Sequence, residues 1–163
     1  MSTDVLAKRP CQVTDIEFQR QLFVATRRQR FAAAGLLPAM IDTMLSQQFD
    51  IQGAAYADAY PAAQRMIVML AGVPIGRMIV DRSQDRILLV DIAVIPESQG
   101  RGIGTRLLTE LIDESNRSGS PIQLQVDRDN PAIGLYELLG FTFDGEQTFQ
   151  WLMQRKPTKQ TTR

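Results

Sequence analysis

Residues 86–118 constrain this chain more than any other stretch. "RILLVDIAVIP" reads as an apolar strand, "ESQGRGIG" as a glycine-crowded turn, and "TRLLTELIDESNRS" as the body of a helix. Ile103, Leu107, Leu108, Leu111 and Ile112 recur at helical spacing and make one apolar stripe over 102–118. "PIQLQV" then alternates strictly, which predicts a strand over 122–126. A strand, a helix and a second strand in that order form a parallel crossover.

The flanking segments add an antiparallel frame. Helices are expected over 16–34 and 38–57, the first started by Thr14 or Asp15 and ended by Gly35 and Pro38. Their apolar faces are read as Ile16, Phe18, Leu22, Phe23 and Phe31, and as Met40, Ile41, Met44, Leu45 and Phe49. Strands follow near 65–70, 75–81 and 86–95, joined by Ala71–Pro74 and Arg82–Asp85; such short links favour hairpins. "NPAIGLYELLG" predicts a short helix with Pro131 in its first turn. Two last strands, 141–143 and 148–153, are expected around Asp144-Gly145, ahead of a frayed polar tail.

Composition narrows the chemistry. Lysine plus arginine number 18 and so do the acids, so no basic excess points to nucleic acid. There is no histidine, which removes Ser-His-Asp triads, Cys-His pairs and His-containing metal sites. The single cysteine, Cys11, forbids an internal disulfide and fits a reducing, cytoplasmic compartment. No apolar run is long enough to span a bilayer, and the start lacks the order of a signal peptide.

The glycine cluster fails both familiar phosphate fingerprints. A P-loop beginning at Gly100 needs glycine at 105, where Thr105 stands, and a lysine that never comes. The dinucleotide pattern G-x-G-x-x-G meets Thr105 from Gly100 and Leu107 from Gly102. The physics of the turn still suits an anion. Glycines let a ligand approach the backbone, the first helical N–H groups are unpaired, and Arg101 adds a full charge. Gln99 offers a further donor. A plain strand-to-helix turn fits the same residues.

Two ordered blocks decide between these readings. Gln99-Gly100-Arg101-Gly102-Ile103-Gly104, followed one helix and one strand later by Asn130 and Leu135-Tyr136-Glu137-Leu138-Leu139-Gly140-Phe141, closely resembles the GNAT superfamily of acetyl-CoA-dependent N-acetyltransferases. The likeness is strong over 86–143, fair over 65–85 and weak in the first 60 residues. It implies an α/β fold: a GNAT-like mixed, mostly antiparallel sheet flanked by helices, with one parallel βαβ crossover. It implies acetyl-CoA as co-substrate, an amine acceptor, no metal, and no nucleic acid or membrane partner; homodimers are common in the superfamily. One domain over 1–163 is expected, with a helical substrate side at 1–62, an acyl-CoA core at 63–155 and a tail at 156–163.

By the same resemblance, Gln99, Gly100, Arg101, Gly102, Ile103, Gly104 and Thr105 hold the coenzyme A pyrophosphate. Ile92, Ala93 and Val94 form the strand edge that pairs with the amide-rich pantetheine arm, and a backbone N–H near Val94 stabilises the oxyanion. Asn130, Ala132 and Ile133 line the cofactor; Asn130 reads equally as a cap before Pro131. Tyr136 is the expected acid. A phenol ionises near about 10 and a thiol near about 8.5, so the phenol stays protonated and can meet the departing sulfur. Asp91 is the acid of an otherwise apolar strand. It reads as the group that contacts the amine, or as a carboxylate paired with an arginine; the glutamate used by some members falls at Leu88. Arg20, Arg27, Arg28 and Arg30 lie in a stretch without acids, and suit either an acidic substrate group or a solvated helix face. A non-catalytic acyl-CoA sensor of the same fold is the alternative to an enzyme.

Overall fold

Strand β1 (Leu6–Pro10) pairs antiparallel with β2 (Gln64–Leu70), and two helices, α1 (Ile16–Ala32) and α2 (Pro38–Ala59), intervene in the chain. The structure is a computed structural model that describes residues 5–159. After β2 come β3 (Val73–Gln84), β4 (Arg86–Val94), α3 (Ile103–Ser118), β5 (Ile122–Asp127), α4 (Ile133–Leu138), β6 (Thr142–Gln147) and β7 (Gln150–Arg155). The sheet order is β1-β2-β3-β4-β5-β7-β6. The sheet is mixed and mostly antiparallel, with β4 and β5 as its parallel pair, registered Ile87 to Ile122 and Leu89 to Leu124. The crossover read from residues 86–126 is therefore present.

The chain divides into two compact units, residues 1–79 with 91–103, and residues 80–90 with 104–163. In the first, Phe23, Val24, Ile41, Leu45 and Phe49 close a core between α1 and α2, with Phe31 against it. The helical faces differ from expectation in particular places. Ile16 and Met40 are exposed, while Gln19 is buried, because its amide has a buried partner described below. Asp15 sits at the start of α1 yet makes no side-chain cap; its carboxylate instead accepts from the Gln12 N–H at 2.7 Å and from Arg9.

In the second unit, Leu107, Leu108, Leu111 and Ile112 are buried, as their spacing required. Gly119 ends α3 in the left-handed region, at φ 77°, and returns its N–H to Ser115. Three details overturn the sequence expectation. Residues 82–84 belong to β3 rather than to a loop, which leaves Asp85 alone as the link. Helix α4 begins at Ile133, after a turn closed by Ile133 N–H on the Asn130 carbonyl. Asp144-Gly145 is a bulge inside β6, and the hairpin turns at Thr148-Phe149, with Gln147 facing Gln150. Gly145 at φ 127° takes up the extra residue, and Thr148 at φ 55° makes the turn. The tail is not wholly loose, since Thr158 N–H bonds Asn116 at 2.9 Å.

Candidate active site

Within the first unit, β4 ends in Asp91, Ile92, Ala93 and Val94, all half-buried. Ile95 N–H donates to the Ile75 carbonyl at 2.8 Å, so the strand stays tied to β3 as it ends. Gly76 on β3 is required here. A Cβ at that position would collide with the Ala93 carbonyl oxygen. The chain then passes a short 3-10 turn, Pro96–Ser98, and reaches the glycines.

Gly100 and Gly102 have φ of 77° and 76°, a region that side-chain-bearing residues rarely adopt. Nothing lies within 4 Å of a Cβ built on either, so the glycines serve the turn and the space beside them is open. Arg101 is exposed and makes no hydrogen bond or ion pair among the described residues. Gln99 does not reach outward: its Nε2 donates to the Val94 carbonyl at 3.0 Å and braces the loop against the strand it leaves. Ile103 is buried and opens α3, while Gly104 and Thr105 occupy its first turn. Together these features can seat an anion on backbone N–H groups with one cation beside it.

Asp91 is held by Arg77, a residue the sequence reading did not single out. Arg77 Nε donates to Asp91 Oδ2 at 2.9 Å, and NH2 donates to the same oxygen. Arg77 NH1 donates to Gln19 Oε1 and NH2 also to Gln52 Oε1, both at 3.2 Å. Arg77 is 5% exposed, and its guanidinium also lies 5.9 Å from the Phe49 ring centre. The arginine-paired reading of Asp91 is therefore realised, but through one oxygen. Among the described residues Oδ1 accepts no hydrogen bond, and no buried side-chain N or O lacks a partner, so Oδ1 reaches solvent. Burial pushes the Tyr56 phenol up to about 12, with the Asp91 charge acting in the same direction. Burial also pushes the Cys11 thiol up, which keeps this half-buried cysteine in its neutral form.

Within the second unit, Tyr136 on α4 is 5% exposed and meets Phe141 edge to face at 5.6 Å. Asn130 Oδ1 accepts the Ala132 N–H at 2.9 Å and so braces the turn ahead of α4, but the N-cap position of that helix is Ala132, which no side chain caps. Ala132 and Ile133 are half-buried there. Leu88, at the place of the glutamate of some relatives, is buried in β4 and lies in register with Gln123. Sequence reasoning missed Arg77, Gln19, Gln52, Tyr56 and Gly76. Each gains its role from partners distant in the chain, and none sits in a motif.

Comparison with known proteins adds to this geometry. The model of the acetyltransferase (GNAT) family matches residues 36–141, more than half of the chain. The [ribosomal protein bS18]-alanine N-acetyltransferase of Escherichia coli K12 is 46% identical over 59 residues, which are 35% of this chain and 40% of that protein. The match thus spans less than half the length of that curated relative. Among solved structures, the PaiA N-acetyltransferase of Thermoplasma acidophilum, in complex with coenzyme A, aligns at a TM-score of 0.72 with 16% identity, over 93% of this chain and 99% of that one. A chimera of Vibrio cholerae spermidine N-acetyltransferase SpeG with hSSAT aligns at 0.64 with 24% identity, over 93% and 95%. At these identities the structural likeness establishes the fold.

Proposed function

Because the chain belongs to the GNAT acetyltransferase family, we propose that it moves an acetyl group from acetyl-CoA to the amine of a small molecule or peptide by direct attack. The observation that carries this reading is the loop from Gln99 to Gly104. Its two left-handed glycines leave open space over the backbone, an unpaired Arg101 stands beside them, and a helix begins at once. These residues fit a pyrophosphate. The half-buried end of β4, Ile92 to Val94, offers backbone groups to the pantetheine amides.

The reaction then follows from ordinary thioester chemistry. The neutral amine attacks the carbonyl carbon, and charge builds on oxygen, where a β4 N–H near Val94 is the proposed donor. The C–S bond breaks with its electron pair on sulfur. The Tyr136 hydroxyl gives the proton that converts thiolate to thiol. The amine loses a proton to Asp91 Oδ1 or to water beside it, since the other carboxylate oxygen is engaged by Arg77. Asn130, Ala132 and Ile133 are proposed as cofactor wall. A cytoplasmic location belongs to the same reading, supported by the free Cys11.

The test is an amine panel with acetyl-CoA, read as release of free thiol. Amine-dependent release supports the transferase. Acetyl-CoA binding, seen as a raised melting temperature, with no release on any amine supports the non-catalytic sensor instead.

A further inference from the structure

The arginine-rich stretch of α1 separates into distinct environments once its partners are known. Arg20 bonds Ser46 and pairs with Asp50 at 3.0 Å. Arg28 pairs with Asp42 at 3.0 Å. Among the described residues Arg27 pairs with no carboxylate, although it is half-buried, with its guanidinium 3.7 Å from the Phe23 ring centre. Its NH1 makes two long bonds, 3.4 Å to the Phe23 carbonyl and 3.3 Å to Thr26 Oγ1. Nε and NH2 make none, yet neither is a sealed polar atom, so this edge of the fork is open.

A charge withdrawn from water without a counter-ion is costly, and buried charges are ordinarily paired. Arg27 feels that cost: burial pulls its guanidinium down from the ordinary arginine range, and the charges of Arg77 and Arg30 act in the same direction. The carboxylate that acts on it favourably is Asp91, and Asp91 is already held by Arg77. The Tyr56 hydroxyl, kept protonated, makes no hydrogen bond among the described residues and reaches solvent.

We infer that the open edge of Arg27, stacked over Phe23, whose ring meets Phe49 beneath the Arg77 that holds Asp91, receives a carboxylate of the acceptor, so that the acceptor class is an amine that also carries an acidic group. This deepens the acetyl-transfer reading and rests on it. The planar fork matches the two oxygens of a carboxylate. The ring of Phe23 fixes the plane of the fork before the ligand arrives. The open Oδ1 of Asp91 offers the complementary anion for the ammonium end.

The test is calorimetric titration of the coenzyme A-loaded protein with ω-amino acids of one to five methylenes, each against its carboxamide. The carboxylate of at least one pair should bind more tightly than its amide by about 10-fold or more. That preference should vanish in Arg27→Gln, and Arg27→Lys should keep part of it. Melting curves of both variants confirm folding, and Arg27→Lys retains the apolar stem over Phe23 if the glutamine variant is unstable. Equal binding of every carboxylate and its amide overturns the inference, as does a preference that survives in Arg27→Gln. The same compounds are then offered with acetyl-CoA. A carboxylate preference without acetyl transfer leaves the anion site standing and removes the transferase reading; transfer indifferent to the carboxylate does the reverse.

Discussion

Arg77 grips Asp91 by a single oxygen. Nε and NH2 both donate to Oδ2, and the other carboxylate oxygen is left facing solvent. The grip fixes the carboxylate without consuming it. Two glutamines, Gln19 and Gln52, each accept one further bond from the fork and resist its turning away.

Arg77→Met should therefore destabilise the protein by about 3 kcal/mol, because breaking a buried pair strands the remaining charge. Adding Asp91→Asn to it should recover part of the loss. Urea unfolding of the parent, the single and the double variant measures this. A single variant as stable as the parent would mean that the pair contributes nothing.

Gly102→Ala and Gly76→Ala should differ in kind. The first meets no atom and bears only the left-handed backbone, for about 1–2 kcal/mol. The second drives a methyl group into the Ala93 carbonyl and must displace the end of β4. It should weaken acetyl-CoA binding well beyond its effect on the melting temperature of the free protein. Thermal shift with and without acetyl-CoA separates the two effects.

Tyr136→Phe should lower kcat about 100-fold, the low end of the range for a positioned acid, since a thiolate is already a fair leaving group. The ring and its edge-to-face contact with Phe141 are kept, so KM for acetyl-CoA should hardly change. Undiminished turnover would leave Tyr136 a packing residue.

Asp15 should shape the acid limb of stability. Arg9 and the Gln12 N–H hold its carboxyl at about 2, below the ordinary 3.8. A carboxyl depressed by folding stabilises the native state above the unfolded value and loses that contribution as pH falls through the folded one. Between pH values of about 4 and about 2 the parent should lose stability more steeply than Asp15→Asn. Parallel melting curves over that window would remove Asp15 from the account.

Periodicity made α3 readable, because its five apolar positions bury on one side and nothing competes with them. Local chemistry alone misplaced the last turn. Asp-Gly is a strong hairpin signal, but the pairing of Gln147 with Gln150 assigned the turn to Thr148-Phe149 and left Gly145 to absorb a bulge. The turn of the loop and the start of the helix after it were legible for the same reason as α3, because their geometry is local, while the inward bond of Gln99 to Val94 was not. The cluster around Asp91 was not. Arg77 stands 14 residues from Asp91, 25 from Gln52 and 58 from Gln19, and no spacing rule links such positions. Gly76 was hidden likewise, since its need arises from the backbone of another strand. The arginines of α1 were visible as a group, but only their neighbours tell Arg27 from Arg20 and Arg28.

The sheet order has a consequence for how this chain behaves in the test tube. Its two margins are β1 and β6. On β6 the bulge at Gly145 interrupts the ladder. On β1 the sequence Lys8-Arg9-Pro10 brings two cations and a residue without an N–H, a combination that resists the addition of a foreign strand. Beneath that guard lies β2, with the run Met66-Ile67-Val68-Met69-Leu70. A chain shortened past Pro10 would bare this run as a margin, and it should form thioflavin-positive aggregates at concentrations where the full chain stays clear. Five residues of β1 thus act as a hem, and where the gene is cut for expression decides whether the cloth frays.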